Sequence, residues 1–387
     1  MKLYIFFIYI MGYLLLTSQD EQSWESMLER FEYPDQDNTS SNYPESAAPC
    51  SLQVPEFNSL AIMIVYIVVF LFSLIGNSVV VYVICSMSNG RNSTDIYLMH
   101  LAFADLLFCS TLPVWAVDFH FGWVFSNFSC KLFSAFQEAS VYCGVFLLVC
   151  ISVDRYFAIV RAKRVLSSRH LLVRVICGVV WLMAGLLSLP VAIKREKIYA
   201  PELKQYICYE NITGESSDQW RVSLRVLRHT LGFFLPLVVM VFCYGWTVGS
   251  LFKMRSQQKH KAMRVIIAVV LAFILCWLPY NVTVLTDTLI RGGSLADTCE
   301  TRYRVETALQ VTKVLAFMHC MVNPLLYAFI GQKFRNELLT TLYKQGIISK
   351  KLWMSYRKGS AGSVASFRSR NTSVSVVNAD GSWGVVA

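Results

Sequence analysis

The sequence predicts an all-α membrane protein: a seven-transmembrane helix bundle with a short amphipathic helix after the last span. Three observations carry that expectation. Only 16% of the 387 residues are charged while 55% are hydrophobic. A soluble domain carries about 25% charged residues, so a chain this long lacks the charge to cover a soluble surface. The apolar residues also fall in long blocks instead of recurring at helix or strand periods, and seven blocks reach the ~20 residues that a membrane crossing requires. Finally, the net charge of +10 is segregated, with acids crowding the first segment and bases crowding alternate loops and the tail. A soluble enzyme, a disordered scaffold and a small disulfide-stapled secreted domain are disfavoured by the same numbers.

The blocks, spans 1 to 7, run over 58–84, 95–118, 131–154, 171–193, 226–252, 265–289 and 307–330. Pro113, Pro190, Pro236, Pro279 and Pro324 would break soluble helices. Inside a bundle, neighbouring helices satisfy the freed backbone groups and a Pro leaves only a kink. No series of alternating ten-residue segments suggests a β-barrel, and no internal repeat suggests a transporter of duplicated halves.

Orientation follows Lys and Arg in the short loops. Arg161, Lys163, Arg164 and Arg169 follow span 3, while Lys253, Arg255, Lys259, Lys261 and Arg264 lie between spans 5 and 6. The segment after span 7 adds Lys333, Arg335, Lys344, Lys350 and Lys351. Seven crossings put all three on one side, the cytoplasm, so the amino terminus is extracellular. There Asp20, Glu21, Glu25, Glu29, Glu32, Asp35, Asp37 and Glu45 stand against Arg30 alone. The basic loops either fix topology only or also meet a cytoplasmic partner. The expected divisions are a leader at 1–19, an acidic extracellular arm at 20–57, the bundle at 58–330, an amphipathic membrane-surface helix at 331–345 and a disordered Ser/Thr-rich cytoplasmic tail at 346–387. Such a chain resides in a lipid bilayer as a multi-pass protein. Lys2 with the apolar run Leu3 to Leu16 is too short to span and resembles a signal-peptide core; the alternative is a true start at Met27.

Topology sorts the twelve cysteines. Eight lie in or at spans, where a small apolar residue needs no further role. Cys50, Cys130, Cys208 and Cys299 remain outside, and an even set in an oxidising compartment suggests two disulfides with three connectivities open. A Cys130–Cys208 bridge would pin the loop before span 5 over the bundle mouth, and a Cys50–Cys299 bridge would tie the acidic arm to the loop before span 7. Of six Asn-x-Ser/Thr triplets, Asn38, Asn127 and Asn211 face outside, and Asn38 and Asn211 stand clear enough of the membrane for glycosylation. Tyr33 and Tyr43 sit among acids, a setting for tyrosine sulfation or simply for tyrosines in an acidic arm.

Ionisable and amide residues within spans default to functional candidates. Asn77 lies in span 1 and Asp105 in span 2, the latter counted as the only acid well inside the bundle. Asp154-Arg155-Tyr156 closes span 3. Trp181 lies in span 4, Pro236 and Tyr244 in span 5, Cys276-Trp277-Leu278-Pro279 in span 6 and Asn323-Pro324-Leu325-Leu326-Tyr327 in span 7. In this order, one set per span, the sequence resembles the rhodopsin-like G-protein-coupled receptors. Thr94-Asp95-Ile96-Tyr97-Leu98, Thr111-Leu112-Pro113 with Trp115, Asp154 through Val160 and the four-cysteine pattern are similar to chemokine receptors. Gln258 through Ile266 and Asn323 through Arg335 are similar to their interleukin-8-type CXC branch.

That resemblance implies a receptor for CXC chemokines that signals to an inhibitory-class heterotrimeric G protein in leukocyte chemotaxis. Activation would swing span 6 outward about Trp277 and Pro279, freeing Arg155 from Asp154 to reach Tyr244, Tyr327 and the G protein. Residues 251–264 hold no acid, so the resting partner of Arg155 is expected to be Asp154. Asp105 anchors sodium in many relatives, but the matching partners here are Gly144, His319 and Cys320, so weak or absent sodium binding and an Asp105–His319 contact are expected. Chemokines are mostly basic, which suits the acidic arm. Their tips carry adjacent Glu and Arg, for which Arg221, Arg225, Asp287 and Glu300 are the candidate partners, with Arg228 beside them; snorkelling to the interface is the alternative for Arg221 and Arg228. Lys313 stands where most chemokine receptors have a Glu, which is expected to make the main pocket more positive, and Glu306 lies two turns higher. In the tail, Ser360, Ser363, Ser366, Ser369, Thr372 and Ser373 would be phosphorylated by receptor kinases and read by arrestin. A chemokine-scavenging receptor is the alternative on the same fold. A membrane enzyme or transporter is disfavoured, since the six histidines show no metal-ligand spacing and no catalytic triad converges. No cofactor, metal or nucleic acid is expected.

Overall fold

The computed structural model describes residues 59–87, 91–160, 170–201, 204–211, 217–252, 257–296 and 298–355. Seven helices are long and apolar enough to cross a membrane. Spans 1 to 3 are Ser59–Cys85, Ser93–Phe121 and Asn127–Ile159, and span 4 is Leu171–Lys194. Spans 5 to 7 are Val222–Ser250, Met263–Arg291 and Cys299–Ile330. The helices outrun the apolar blocks: span 3 continues past 154 to Ile159, and span 7 begins at Cys299 instead of 307. An apolar block measures only the hydrocarbon depth, whereas a helix continues into the polar interface until a cap ends it. Ser126 accepts from Ser129 N at 3.1 Å and Thr298 from Thr301 N at 3.2 Å. Asn92 and Asp95 close a reciprocal capping box at the start of span 2.

The radial distribution of side chains is the inverse of a soluble protein's. Leu71, Phe72, Ile75, Leu171, Leu182, Val238 and Phe242 are exposed on the outer faces, while Asn77, Asp105, Asp154, Asn281 and Asn323 are buried. Lipid tails accept an apolar exterior, but polar groups must find partners inside. Span 1 meets span 7 closely at Gly76, where a Cβ would lie 2.8 Å from Cβ of Pro324; only a glycine lets the two backbones approach like this.

Two spans depart from regular helix where function is expected. Span 5 contains a π-helical turn, Thr230–Phe234, between Ser217–His229 and Leu235–Phe252. Span 7 is interrupted at Met318, between Cys299–Phe317 and His319–Ile330. Such irregular turns frequently mark functional sites in helices.

Over the outer mouth lies an antiparallel hairpin, β1 (Arg195–Ala200) and β2 (Gln205–Glu210), with Arg195 opposite Glu210 and Ala200 opposite Gln205. The Cys130–Cys208 disulfide ties β2 to the top of span 3. Trp123 N donates to Tyr206 O at 2.7 Å and Lys197 N to Asn127 Oδ1 at 2.8 Å. Below the bundle, the surface helix Gln332–Lys344 follows span 7, its Phe334 ring 6.1 Å from that of Tyr327. The chain does not lose order at 346 as expected: residues 350–355 are helical, because a glycine turn and a serine cap bring them back onto the surface helix. Gly76→Val should clash with Pro324 and cost about 1–3 kcal/mol, seen as a lower Tm of the purified protein. Gly178→Ala, which meets nothing within 4 Å, should leave Tm unchanged.

Candidate functional site

The hairpin and the upper ends of spans 2, 3, 5, 6 and 7 enclose an outward-open cavity of about 290 Å³. Its walls carry Arg195, Arg225, Arg228 and Lys313 against Glu138, Glu210, Asp287 and Glu306. The charges balance: Lys313 makes the cavity more positive than an acid at that position would, and acids on span 3 and β2 keep the sum near zero. What distinguishes the cations is their pairing. Arg225 Nη1 lies 2.5 Å from Asp287 Oδ2, which also accepts from Arg291 Nε at 3.0 Å. Arg228 Nε lies 3.1 Å from Glu138 Oε1, so its side chain turns into the bundle and not to the membrane interface. Among the described residues Lys313 makes no ion pair. Its ammonium sits 5.7 Å over the Phe317 ring, with Arg195, Asp118 and Glu306 as the charges around it.

Sequence reasoning missed Glu138, although it lies within span 3, and Asp105 is therefore not the only acid inside the bundle. It also missed Arg195, which donates to Cys208 O at 2.9 Å, because nothing in the sequence shows where a loop folds back. Glu300 is not part of the cavity: it is exposed and paired with Arg304 one turn on. Arg221 lies in the outermost turns of span 5, its side chain outside the described atoms. Cys299 is disulfide-bonded, while Cys50, Asn38, Tyr33, Tyr43, Ser360, Ser363, Ser366, Ser369, Thr372 and Ser373 lie outside the described residues. Asn211 Nδ2 donates to Glu196 Oε2 at 2.7 Å, a bond that holds the Glu196 carboxyl below its usual range. A glycan on Nδ2 would leave one N–H to keep that bond.

Beneath the cavity the polar groups form a column. His229 meets Asn281 Oδ1 at 2.5 Å, and Asn281 Nδ2 donates to Trp277 O at 2.9 Å, Trp277 and Asn281 standing two positions either side of Pro279. Trp277 packs among Phe273, Tyr280 and His319, edge-on to the last two, its ring 5.2 Å from the imidazole. His319 Nε2 lies 3.5 Å from Asp105 Oδ1, the contact expected from the sequence, and Asn323 Nδ2 donates to Asp105 Oδ2 at 2.8 Å. His319 Nδ1 faces the carbonyl of Ala316 at 2.8 Å and must donate to it. Nε2 is then the ring nitrogen that faces the carboxylate. The interruption at Met318 frees the Ala316 carbonyl for this bond.

At the inner end Arg155 bonds Asp154, with Nε at 3.1 Å and Nη2 shorter still. Two buried phenols nearby are unsatisfied: neither the Tyr244 nor the Tyr327 hydroxyl has a hydrogen-bond partner. Tyr244 faces Ser152, whose hydroxyl donates to Leu148 O at 2.6 Å and keeps acceptor lone pairs, but the two hydroxyls do not meet in hydrogen-bond geometry. Tyr156 packs beside Phe157 and Phe242. A second cavity, about 300 Å³, opens here between Arg155, Tyr327, Ile266 and the Asp95–Lys333 ion pair of 2.5 Å. None of these groups forms a nucleophile–base pair, and no three His, Cys, Asp or Glu side chains cluster to hold a metal among the described residues.

The groups that contact Asp105 present nitrogen, which is poor ligation for a hard cation. The Tm of the purified protein should therefore be the same in sodium chloride and in choline chloride at equal ionic strength. A sodium-specific rise that Asp105→Asn removes would reveal a cation site.

Residues 76–327 match the profile of the rhodopsin-family seven-transmembrane receptors. The chain is 49% identical to C-X-C chemokine receptor type 2 of Homo sapiens over 79% of its length and 84% of the relative's. It is 46% identical to C-X-C chemokine receptor type 1 of Homo sapiens over 86% of its length and 92% of the relative's, and 46% identical to the type 1 receptor of Oryctolagus cuniculus over 84% and 90%. A charged outer cavity, a polar column with an aromatic hinge, and an inner Asp-Arg-Tyr end on seven spans are thus the parts of a receptor and not of an enzyme, and the chain belongs to the CXC chemokine receptors of the rhodopsin family.

Proposed function

We propose that this protein is a plasma-membrane receptor for basic CXC chemokines of the interleukin-8 type and that it passes their binding to an inhibitory-class heterotrimeric G protein to direct leukocyte chemotaxis. The observation that carries this reading is the pair of unsatisfied inner phenols, Tyr244 and Tyr327, beside an Arg155 held by Asp154. A buried hydroxyl without a partner is costly, and both gain one if Arg155 leaves Asp154 and reaches into the bundle. The cavity above and the inner cavity below are joined by Trp277, His319, Asp105 and Asn323, so a ligand that moves Trp277 disturbs the same column.

In this reading the extracellular acidic arm, with Tyr33 and Tyr43, holds the chemokine body, and its salt-dependent attraction speeds encounter. The ligand tip enters the outer cavity, where Arg221, Arg225, Asp287 and Lys313 are the contact candidates. Pro279 allows span 6 to swing, and the Asn323-Pro324 turn rearranges with it. Asn38 and Asn211 carry glycans, the bundle spans 58–330, and the cytoplasmic tail, phosphorylated at Ser360, Ser363, Ser366, Ser369, Thr372 and Ser373 by receptor kinases, recruits arrestin. The sequence charge pattern supports an extracellular amino terminus.

Nucleotide exchange on an inhibitory-class Gα, measured in membranes across a panel of CXC chemokines, tests the proposal. At least one basic chemokine should stimulate exchange, and Arg155→Asn should abolish the stimulation while chemokine binding persists. Binding without exchange in the wild-type protein would instead favour a scavenger, and no binding by any panel member would refute the receptor reading. Asp287→Arg strands Arg225 and Arg291 without their shared acid and should lower agonist potency by about 10–100-fold. Lys313→Glu should weaken chemokines with an acidic tip more than variants whose tip acid is replaced by its amide; equal effects on both would remove Lys313 from the contact set.

A further inference from the structure

The surface helix does not end in loose chain. Gly346, at φ +73°, adopts the left-handed conformation that favours glycine. Gly346 N donates to Tyr343 O at 3.0 Å and Ile347 N to Leu342 O at 3.0 Å, the two bonds of a Schellman closure. Three residues on, Ser349 caps a second helix: Leu352 N donates to Ser349 Oγ at 3.3 Å and Trp353 N to Ser349 O at 3.1 Å. The second helix, residues 350–355 within the described chain, folds back through Trp353. Its indole stacks on Tyr343 with ring centres 4.9 Å apart and planes 14° apart, and its Nε1 donates to Thr340 Oγ1 at 3.4 Å. A glycine turn, a serine cap and an aromatic stack together specify a helical hairpin.

The hairpin also has a definite depth. Gln345 Nε2 donates to Tyr82 OH at 2.5 Å, and Tyr82 lies within span 1, three residues or ~4.5 Å of rise before its last residue, Cys85. The turn therefore sits level with the cytoplasmic rim of the apolar belt. On it Ile347, Leu352 and Met354 are 65%, 46% and 40% exposed, although each is a side chain that water disfavours. At 100° per residue Leu352 and Met354 flank Trp353, and Ser355 lies opposite. Lys344, Lys350 and Lys351 are exposed beside them. Residues 321–387 contain no cysteine, so no thioester-linked acyl chain holds this stretch.

We propose that residues 345–355 form a membrane-docking hairpin that inserts Ile347, Leu352 and Met354 into the cytoplasmic leaflet and holds anionic lipid headgroups with Lys344, Lys350 and Lys351. The occupant is lipid because the exposed apolar side chains continue the lipid-facing belt of span 1, and its headgroups are anionic because the flanking charge is uniformly positive. Without an acyl anchor, the hairpin supplies the second attachment that a single amphipathic helix lacks.

The test uses the full-length protein in nanodiscs, on a Cys85→Ser background. Nitroxides are placed singly at Ile347→Cys, Leu352→Cys, Met354→Cys and, as the opposite face, Ser355→Cys; all four positions are exposed. In discs containing phosphatidylserine, relaxation by oxygen should exceed that by a water-soluble nickel complex at the first three positions, and the order should reverse at Ser355. Replacing each Lys by Gln should lower the docked-to-undocked ratio about fivefold in these discs and leave it nearly unchanged in discs of phosphatidylcholine alone. Equal access of the nickel complex at all four positions would overturn the proposal. So would exclusion of both relaxants with spin–spin broadening, which would mean that a second copy of the chain covers the face. So would docking that is indifferent to lipid charge.

Discussion

The carboxylate of Asp105, 2% exposed at the centre of the bundle, constrains everything around it. An isolated charge in a medium without water is so unfavourable that it must be neutralised or bonded. Here Asn323 from span 7 and His319 at the interruption of the same span close on it from two sides. To deliver both, span 7 must depart from regular helix at Met318 and pass close enough to span 1 that only Gly76 fits opposite Pro324. Asn77, from the same turn of span 1, completes the junction by donating to Cys320 O at 2.9 Å. The buried acid, the irregular backbone of span 7 and the glycine of span 1 thus meet at one junction.

The column above and below that junction is satisfied unevenly, and the unevenness has a direction. Asn281, Asn323 and Asp154 have partners, whereas His229 Nε2, the indole of Trp277 and the hydroxyls of Tyr244 and Tyr327 do not. A single-state core would have little reason to retain four buried polar atoms without partners, each costing on the order of 1–3 kcal/mol. A two-state element retains them because the other arrangement satisfies them. Arg155 is suited to that role: its guanidinium has five donors in a fixed fork, only part of which Asp154 engages, and a side chain long enough to change partners.

The sequence made the bundle legible because the hydrophobic thickness of a bilayer imposes a length on every span. The inner switch was legible because its residues, Asp154-Arg155-Tyr156 and Asn323 to Tyr327, are contiguous. The outer cavity was only half legible. Arg225, Asp287 and Lys313 could be picked out as charges at the tops of spans, but their partners could not. Glu138 lay in an apolar block that still averaged as a span, and Arg195 and Glu210 belong to a hairpin whose position depends on the Cys130–Cys208 bridge. Helix ends were misjudged for a related reason, since apolarity reports the lipid and not the caps. The folded-back helix at 350–355 was missed because Gly346 and Ser349 act as signals only when the bonds they make are visible.

The balance of charge in the outer cavity bears on how ligands are told apart. A pocket with a net charge would attract any tip of the opposite sign, whereas four acids against four bases give little net field at a distance. Under the proposed receptor reading, attraction at long range would be left to the acidic arm, and discrimination would fall to the charges that lack partners at short range. Arg225 and Arg228 are already bound to Asp287 and Glu138, so a ligand that engages them must compete with an existing ion pair and gains only the difference. Lys313 has no such competitor, and the Nε of Arg195, the amide of Gln137 and the indole of Trp115 are buried donors without acceptors around the same space. A group that brings acceptors into this corner would gain contacts without breaking any, so under the proposed receptor reading the unpaired donors, and not the paired arginines that a reading of charges alone would rank first, are where ligands would be told apart.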